Sequence, residues 1–199
     1  MRHAVSYLWS FIAFCALLSL GSAITHTASV SGQARAIQTS VVGLAGTTTT
    51  RLADTGTLSG SSDAREASLP TGSVPSVVSG DTLHATTIGW PDQVKSEASL
   101  AGLTVTVGGN TIGAGFVMAR ASAVQGFAAA GTVSIDGLSI NGVPIWVTGS
   151  PNQTIGIPGG QLMINEQQTS PTSTVVNALH VTVTGVADVV VASASAGVQ

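Results

Sequence analysis

Apolar and polar residues alternate with a period of two along most of the chain, and turn-forming residues break the alternation at short intervals. Successive side chains of a strand point to opposite faces, so this pattern predicts strands with one buried face. Leu103, Val105 and Val107 alternate with Thr104 and Thr106, Gly108-Gly109-Asn110 then turns the chain, and Ile112, Ala114, Phe116 and Met118 resume on one face. This segment is the clearest predicted hairpin. Arg120 falls on the same face as that apolar row, so a bulge or a strand end is expected near it.

The pattern continues towards the C-terminus. Val133 and Ile135 lead to Asp136-Gly137, and Leu138 and Ile140 lead to Asn141-Gly142. Both pairs accept the positive φ of tight hairpin turns, so two further hairpins are expected. Ile145 and Val147 are read as the next strand, with Pro144 at its start or on an edge. Pro158-Gly159-Gly160 makes another turn before Leu162 and Ile164. Leu179, Val181 and Val183 form one apolar row, and Val189 to Ala196 closes with Ala and Ser on opposite faces. Nearer the start, Gln33 to Val42 reads as a strand, Asp54 to Arg65 as an exposed loop, and Leu83 to Trp90 as a strand or a short helical turn. No amphipathic helix of useful length follows the N-terminal segment.

Many short strands with frequent turns predict an all-β domain, an antiparallel β-sandwich. A β-barrel-like closure and a β-solenoid are the alternatives; a solenoid needs a fixed repeat, and none is found. Residues 1–23 read as a signal peptide. Arg2 and His3 precede the apolar stretch Ala4 to Leu20, and Gly21-Ser22-Ala23 supplies small residues at the cleavage site. Residues 24–199 are then a single extracellular all-β domain, with no membrane span once the signal is cleaved. Cys15 lies inside the apolar stretch, so the exported chain would hold no cysteine. The closing stretch 191–199 shows no apolar tail or sorting motif from which an anchor could be read.

Charge narrows the function classes. Only 8% of residues are charged, the net charge is −3, and Lys95 is the single lysine. Nucleic-acid binding needs clustered cations, and none are clustered here. Ser, Thr and backbone must therefore wet the surface. No calcium-loop spacing occurs among Asp54, Asp63, Glu66, Asp81 and Asp92, and no zinc-like histidine spacing is present, so no metal or other cofactor is read.

Four residues are weak candidates for ligand binding. Trp90 and Trp146 could stack on a sugar or pack on a partner, although packing at the core or a sheet edge is the plainer reading for each. His180 sits on the Thr182 side of its strand, and with Glu166 and a serine it could form a hydrolase triad. The Gly-x-Ser-x-Gly elbow is missing, so no catalytic residue is assigned and His180 is read as a solvated strand histidine. A Lys95 crosslink to Asn165 or Asn177 beside Glu166 would require burying a lone ammonium, which is costly.

The order of several segments resembles the choice-of-anchor P family of bacterial exported surface proteins. They are Ser31-Gly32-Gln33-Ala34-Arg35-Ala36, Ser96-Glu97-Ala98-Ser99-Leu100-Ala101-Gly102-Leu103, Met118-Ala119-Arg120-Ala121-Ser122-Ala123 and Leu138-Ser139-Ile140-Asn141-Gly142. After them come Pro158-Gly159-Gly160, Ile164-Asn165-Glu166-Gln167, Asn177-Ala178-Leu179-His180-Val181 and Ala187-Asp188-Val189-Val190-Val191-Ala192-Ser193-Ala194. The resemblance implies an exported domain and no activity. The expectation is a non-enzymatic structural or adhesion-like interaction domain, at the cell surface or secreted. Its partner would be a cell-envelope component or a second copy, and a secreted carbohydrate- or ligand-binding module is the alternative.

Overall fold

A computed structural model describes residues 28–199. The segment read as a signal peptide, with Cys15, lies outside the described residues. The chain forms an all-β sandwich of two antiparallel sheets, with no helix among the described residues and no closed barrel. The strands are β1 (Val30–Gly43), β2 (Gly46–Asp54), β3 (Ala64–Val74), β4 (Val78–Trp90), β5 (Gln93–Val107), β6 (Asn110–Val124) and β7 (Ala130–Asp136). They continue with β8 (Ser139–Ile140), β9 (Val143–Pro144), β10 (Gln153–Ile157), β11 (Gly160–Thr169), β12 (Ser173–Val183) and β13 (Ala187–Val198).

The first sheet runs β10-β11-β12-β13-β1-β2 and the second β3-β4-β5-β6-β8-β9, with β7 also on β6. The first and last strands are thus neighbours: Val30 pairs with Val198, and Ser29 and Gln199 exchange two backbone hydrogen bonds of 2.8 Å. Inward rows such as Leu162, Ile164, Val181 and Val189 from one sheet meet Leu83, Leu100, Val105 and Val117 from the other, all buried. Polar groups also bridge the two layers. Thr87 Oγ1 lies 2.7 Å from Ser96 Oγ, which donates to the Ser195 carbonyl at 2.7 Å. Asn110 Nδ2 donates to the Pro158 carbonyl at 3.0 Å, pinning the β5–β6 turn to the β10–β11 turn.

The alternation inverts part-way along the strands. In β1 the buried row passes from Ala34 and Ala36 to Ile37 and Thr39, so two consecutive residues face inward. The same doubling occurs at Ile164-Asn165, Ala178-Leu179 and Val191-Ala192. These positions share one line across the sheet, because register places Ala36 and Ala178 opposite Ala192, with Ala53 beyond Ala36 and Asn165 beyond Ala178. Along that line Ala53, Asn165 and Ala192 have φ of 47°, 53° and 50°. A left-handed residue turns the pleat by one position without losing the strand. The second sheet inverts near Thr82 (φ 50°) and Gly102 (φ 57°), with Gly115 opposite Gly102.

The structure corrects three expectations. Phe116 and Met118 leave the face of Ile112 and Ala114, and Val117 and Ala119 replace them in the core. The inversion therefore falls at Gly115, not at Arg120, which faces outward. Asp136-Gly137 is not a hairpin turn. Phe116 pairs with Asp136 and Ile112 with Ile140, so β7 and β8 follow one side of β6 and Gly137 (φ 65°) is a kink between them. Ile145 and Val147 belong to no strand; they lie in the 145–152 connection, half-buried against the core. Elsewhere the predicted turns are found. Asn141-Gly142 closes β8–β9 with φ of 52° and 79°, the positive pair a two-residue hairpin requires. Leu83 to Trp90 is strand throughout.

Candidate functional site

The outer face of the second sheet carries a shallow groove of about 400 Å³. Register builds it in rows. Ile88 on β4 pairs with Lys95 on β5, Lys95 with Ser122 on β6, and Ser122 with Ala130 on β7. One step away, Thr86, Glu97, Arg120 and Thr132 form the next row. Small residues in the first row leave a trough between Trp90, at the end of β4, and the long side chains of the second. Arg120 Nε donates to Glu97 Oε2 in a close ion pair. Trp90 and Ile88 are half-buried and supply apolar surface, while Lys95 and Arg120 are exposed. Gln125 N donates to Asp92 O, so the β6–β7 turn, with its exposed Phe127, stands beside the Pro91-Asp92 turn that follows Trp90.

A second polar cluster lies on the outer face of the other sheet. His180 on β12 reaches Glu166 on β11 and Asp188 on β13. Its Nδ1 is 2.9 Å from Glu166 Oε2, and its Nε2 is 2.8 Å from Asp188 Oδ2. Asn177 Nδ2 also donates to Glu166 Oε2 at 2.7 Å. Burial works against a charge on His180, but hydrogen bonds and charge from Asp188 and Glu166 outweigh it and raise its pKa above the ordinary value. A neutral imidazole has one N–H, whereas this geometry offers an acceptor to each nitrogen, so the imidazolium fits it. Both nitrogens are therefore engaged by carboxylates, and neither is presented to a serine hydroxyl. The cluster has the groups of a base without the geometry of a triad. Nor does it form a metal site: the carboxylates stand on opposite sides of the ring, and no group of three such ligands converges among the described residues.

A third cluster joins Asp54 to Arg35 at 3.0 Å and to Gln33 at 2.8 Å. Burial would raise the Asp54 pKa, but Gln33, the Gly56 amide and Arg35 together hold it below the usual carboxylate range.

The candidates named from sequence are thus separated. His180 and Glu166 meet on one sheet, Trp90 lines the groove on the other, and Trp146 stands 82% exposed in the 145–152 connection rather than on a strand face. Lys95 faces solvent on the second sheet, away from Asn165, Glu166 and Asn177 on the first, so the crosslink has no geometry. Asp188, Ile88, Lys95, Glu97 and Arg120 were not among the predicted site residues. One signal could have found the ion pair. Glu97 and Arg120 are equidistant from the Gly108-Gly109 turn, and an antiparallel hairpin pairs equidistant residues. The fold and these surfaces define a two-sheet antiparallel sandwich with an open groove on one outer face. No protein-family model, curated protein or solved structure matches the chain.

Proposed function

We propose that this is a non-enzymatic, adhesion-like interaction domain, exported to the cell exterior, that engages its partner through the outer face of the second sheet. The groove beside Trp90 carries the reading. It is concave, part apolar and ringed by a few polar groups, the combination that binding surfaces use. The closed arrangement around His180 supports a structural role for that cluster. Export and surface location rest on the sequence of residues 1–23. Kinship with the choice-of-anchor P proteins rests on segment order alone.

Cosedimentation of the purified protein with envelope material from its own cells tests the binding role. Binding that Trp90→Ala abolishes, with the melting temperature kept, is the expected result; binding unchanged by that substitution would remove the groove from the proposal. Fractionation with intact mass tests export. The expected species begins at Ile24 and is found in the wall or the medium, whereas an intact N-terminus in the membrane would overturn cleavage.

Self-association is a second reading, carried by β2. It is an edge strand bearing Thr47 to Thr50, without proline or lysine to block pairing, and Leu44 is fully exposed at its turn. Light scattering at high concentration should then show dimers, and monomers alone would discard it.

A further inference from the structure

The charges of the groove go beyond a generic binding surface, and this step rests on the groove being the binding site. The chain carries a net charge of −3, yet the groove holds two cations against one carboxylate. Arg120 takes the Glu97 carboxylate. Lys95, the single lysine of the chain, forms no ion pair among the described residues. Its cross-strand neighbours are Ile88 and Ser122, which bring no charge. An ammonium so placed offers a full charge-assisted bond to an incoming anion.

We infer that the groove binds an acidic glycan, a pyranose chain bearing carboxylates. The C–H face of a sugar packs on Trp90 and Ile88, its hydroxyls reach Thr86, Ser122 and Thr132, and its carboxylate meets Lys95. Shape agrees with this ligand. The trough crosses β4 to β7, three inter-strand steps or roughly 14 Å, and is open rather than enclosed, so it suits a short stretch of a longer polymer. An acyl chain would call for an enclosed apolar cavity. A nucleic acid would call for many cations to displace counterions, and one free lysine cannot supply them.

The test is calorimetric titration of the purified protein with oligogalacturonate, with a neutral glucan oligomer and with a sulfated glucan. Oligogalacturonate should bind most tightly, and its affinity should fall as salt is raised, because an exposed charge pair is screened. Lys95→Gln should lower that affinity about five-fold, the scale of one surface ion pair, and leave neutral-oligomer binding as it was. Lys95 is exposed, so this variant should keep the wild-type melting curve, which is measured alongside. Equal binding of the neutral oligomer, preference for the sulfated one, no effect of Lys95→Gln, or no binding of any oligomer would each overturn the ligand assignment. The groove itself would survive those results if Trp90→Ala still abolished envelope binding. If Trp90→Ala left envelope binding intact, the groove and the ligand assignment would both fall.

Discussion

His180 draws its charge from neighbours on two other strands, so its protonation is tied to folding. Its pKa is raised in the folded chain above the ordinary 6.5, which it regains when unfolded. The imidazolium therefore contributes its full stabilisation below pH 6.5, and that contribution is lost as pH rises through the folded pKa. Urea unfolding of wild type and His180→Gln across this range should show a difference that shrinks towards alkaline pH. On the acid side, His180→Gln should cost about 2 kcal/mol, the usual scale for hydrogen bonds to charged groups. A difference that stayed constant with pH would mean that folding leaves the His180 pKa unchanged, and one that grew towards alkaline pH would mean that the folded chain holds it neutral. Asp63 acts on the opposite limb. The Ser59 amide, Arg65 and the Ser59 hydroxyl lower its pKa from 3.8 to about 2, so its contribution is present above pH 3.8 and lost as pH falls through about 2. Asp63→Asn should flatten the stability profile in that acid window only.

At the scale of the strand, the inverted pleat is the feature most open to test. Ala192 is fully buried, has φ 50° and sits mid-way along β13. An L-residue in the left-handed region costs about 1–2 kcal/mol, and branching at Cβ adds to it. Ala192→Val should therefore lower stability by about 3 kcal/mol or more, counting the overpacking as well. The same change at Ala194, buried with ordinary φ, should cost less; equal losses would show that volume rather than backbone sets the penalty. Close approach between the sheets gives a separate case. A Cβ on Gly131 would stand 2.1 Å from Val176 Cγ2, and Val176 is itself fully buried. Gly131→Ala should push β7 away from β12 and cost about 1–3 kcal/mol, read as a drop in melting temperature.

The inversion also shows how far local pattern reading extends. Apolar rows such as Leu103, Val105 and Val107 were legible because they stay in one phase up to a turn. Ala36-Ile37 and Ala178-Leu179 leave only a weak trace, two small or apolar residues in succession, which a strand, a loop or a helix can each contain. Their alignment across neighbouring strands is what makes them one feature, and alignment requires the register.

For the molecule as a whole, the pairing of β1 with β13 sets how the domain closes. The two strands lie at opposite ends of the described chain, yet both are interior to the same sheet. Closing a loop of that length comes at an entropic cost before the contacts form, so folding should be slow for a domain of this size, in the millisecond-to-second range. Stopped-flow refolding followed by tryptophan emission measures it. A chain ending at Val186 would lose β13 and leave β1 and β12 with unpaired edges in mid-sheet. It should show no cooperative melting transition, whereas a retained transition would mean that the second sheet folds without the first.

The sequence by itself determined the class of fold, the turns at Asn141-Gly142 and in Pro158-Gly159-Gly160, and the low-charge, hydroxyl-rich surface. These follow from local rules: side chains alternate along a strand, and only certain residues accept positive φ. Tertiary structure alone decided which of the similar strands are neighbours. That choice brought Glu166, His180 and Asp188 together from three strands, and lined up Ile88, Lys95, Ser122 and Ala130 across four. Such rows run perpendicular to the chain, where spacing along the sequence identifies partners only once the turns that set the register are known.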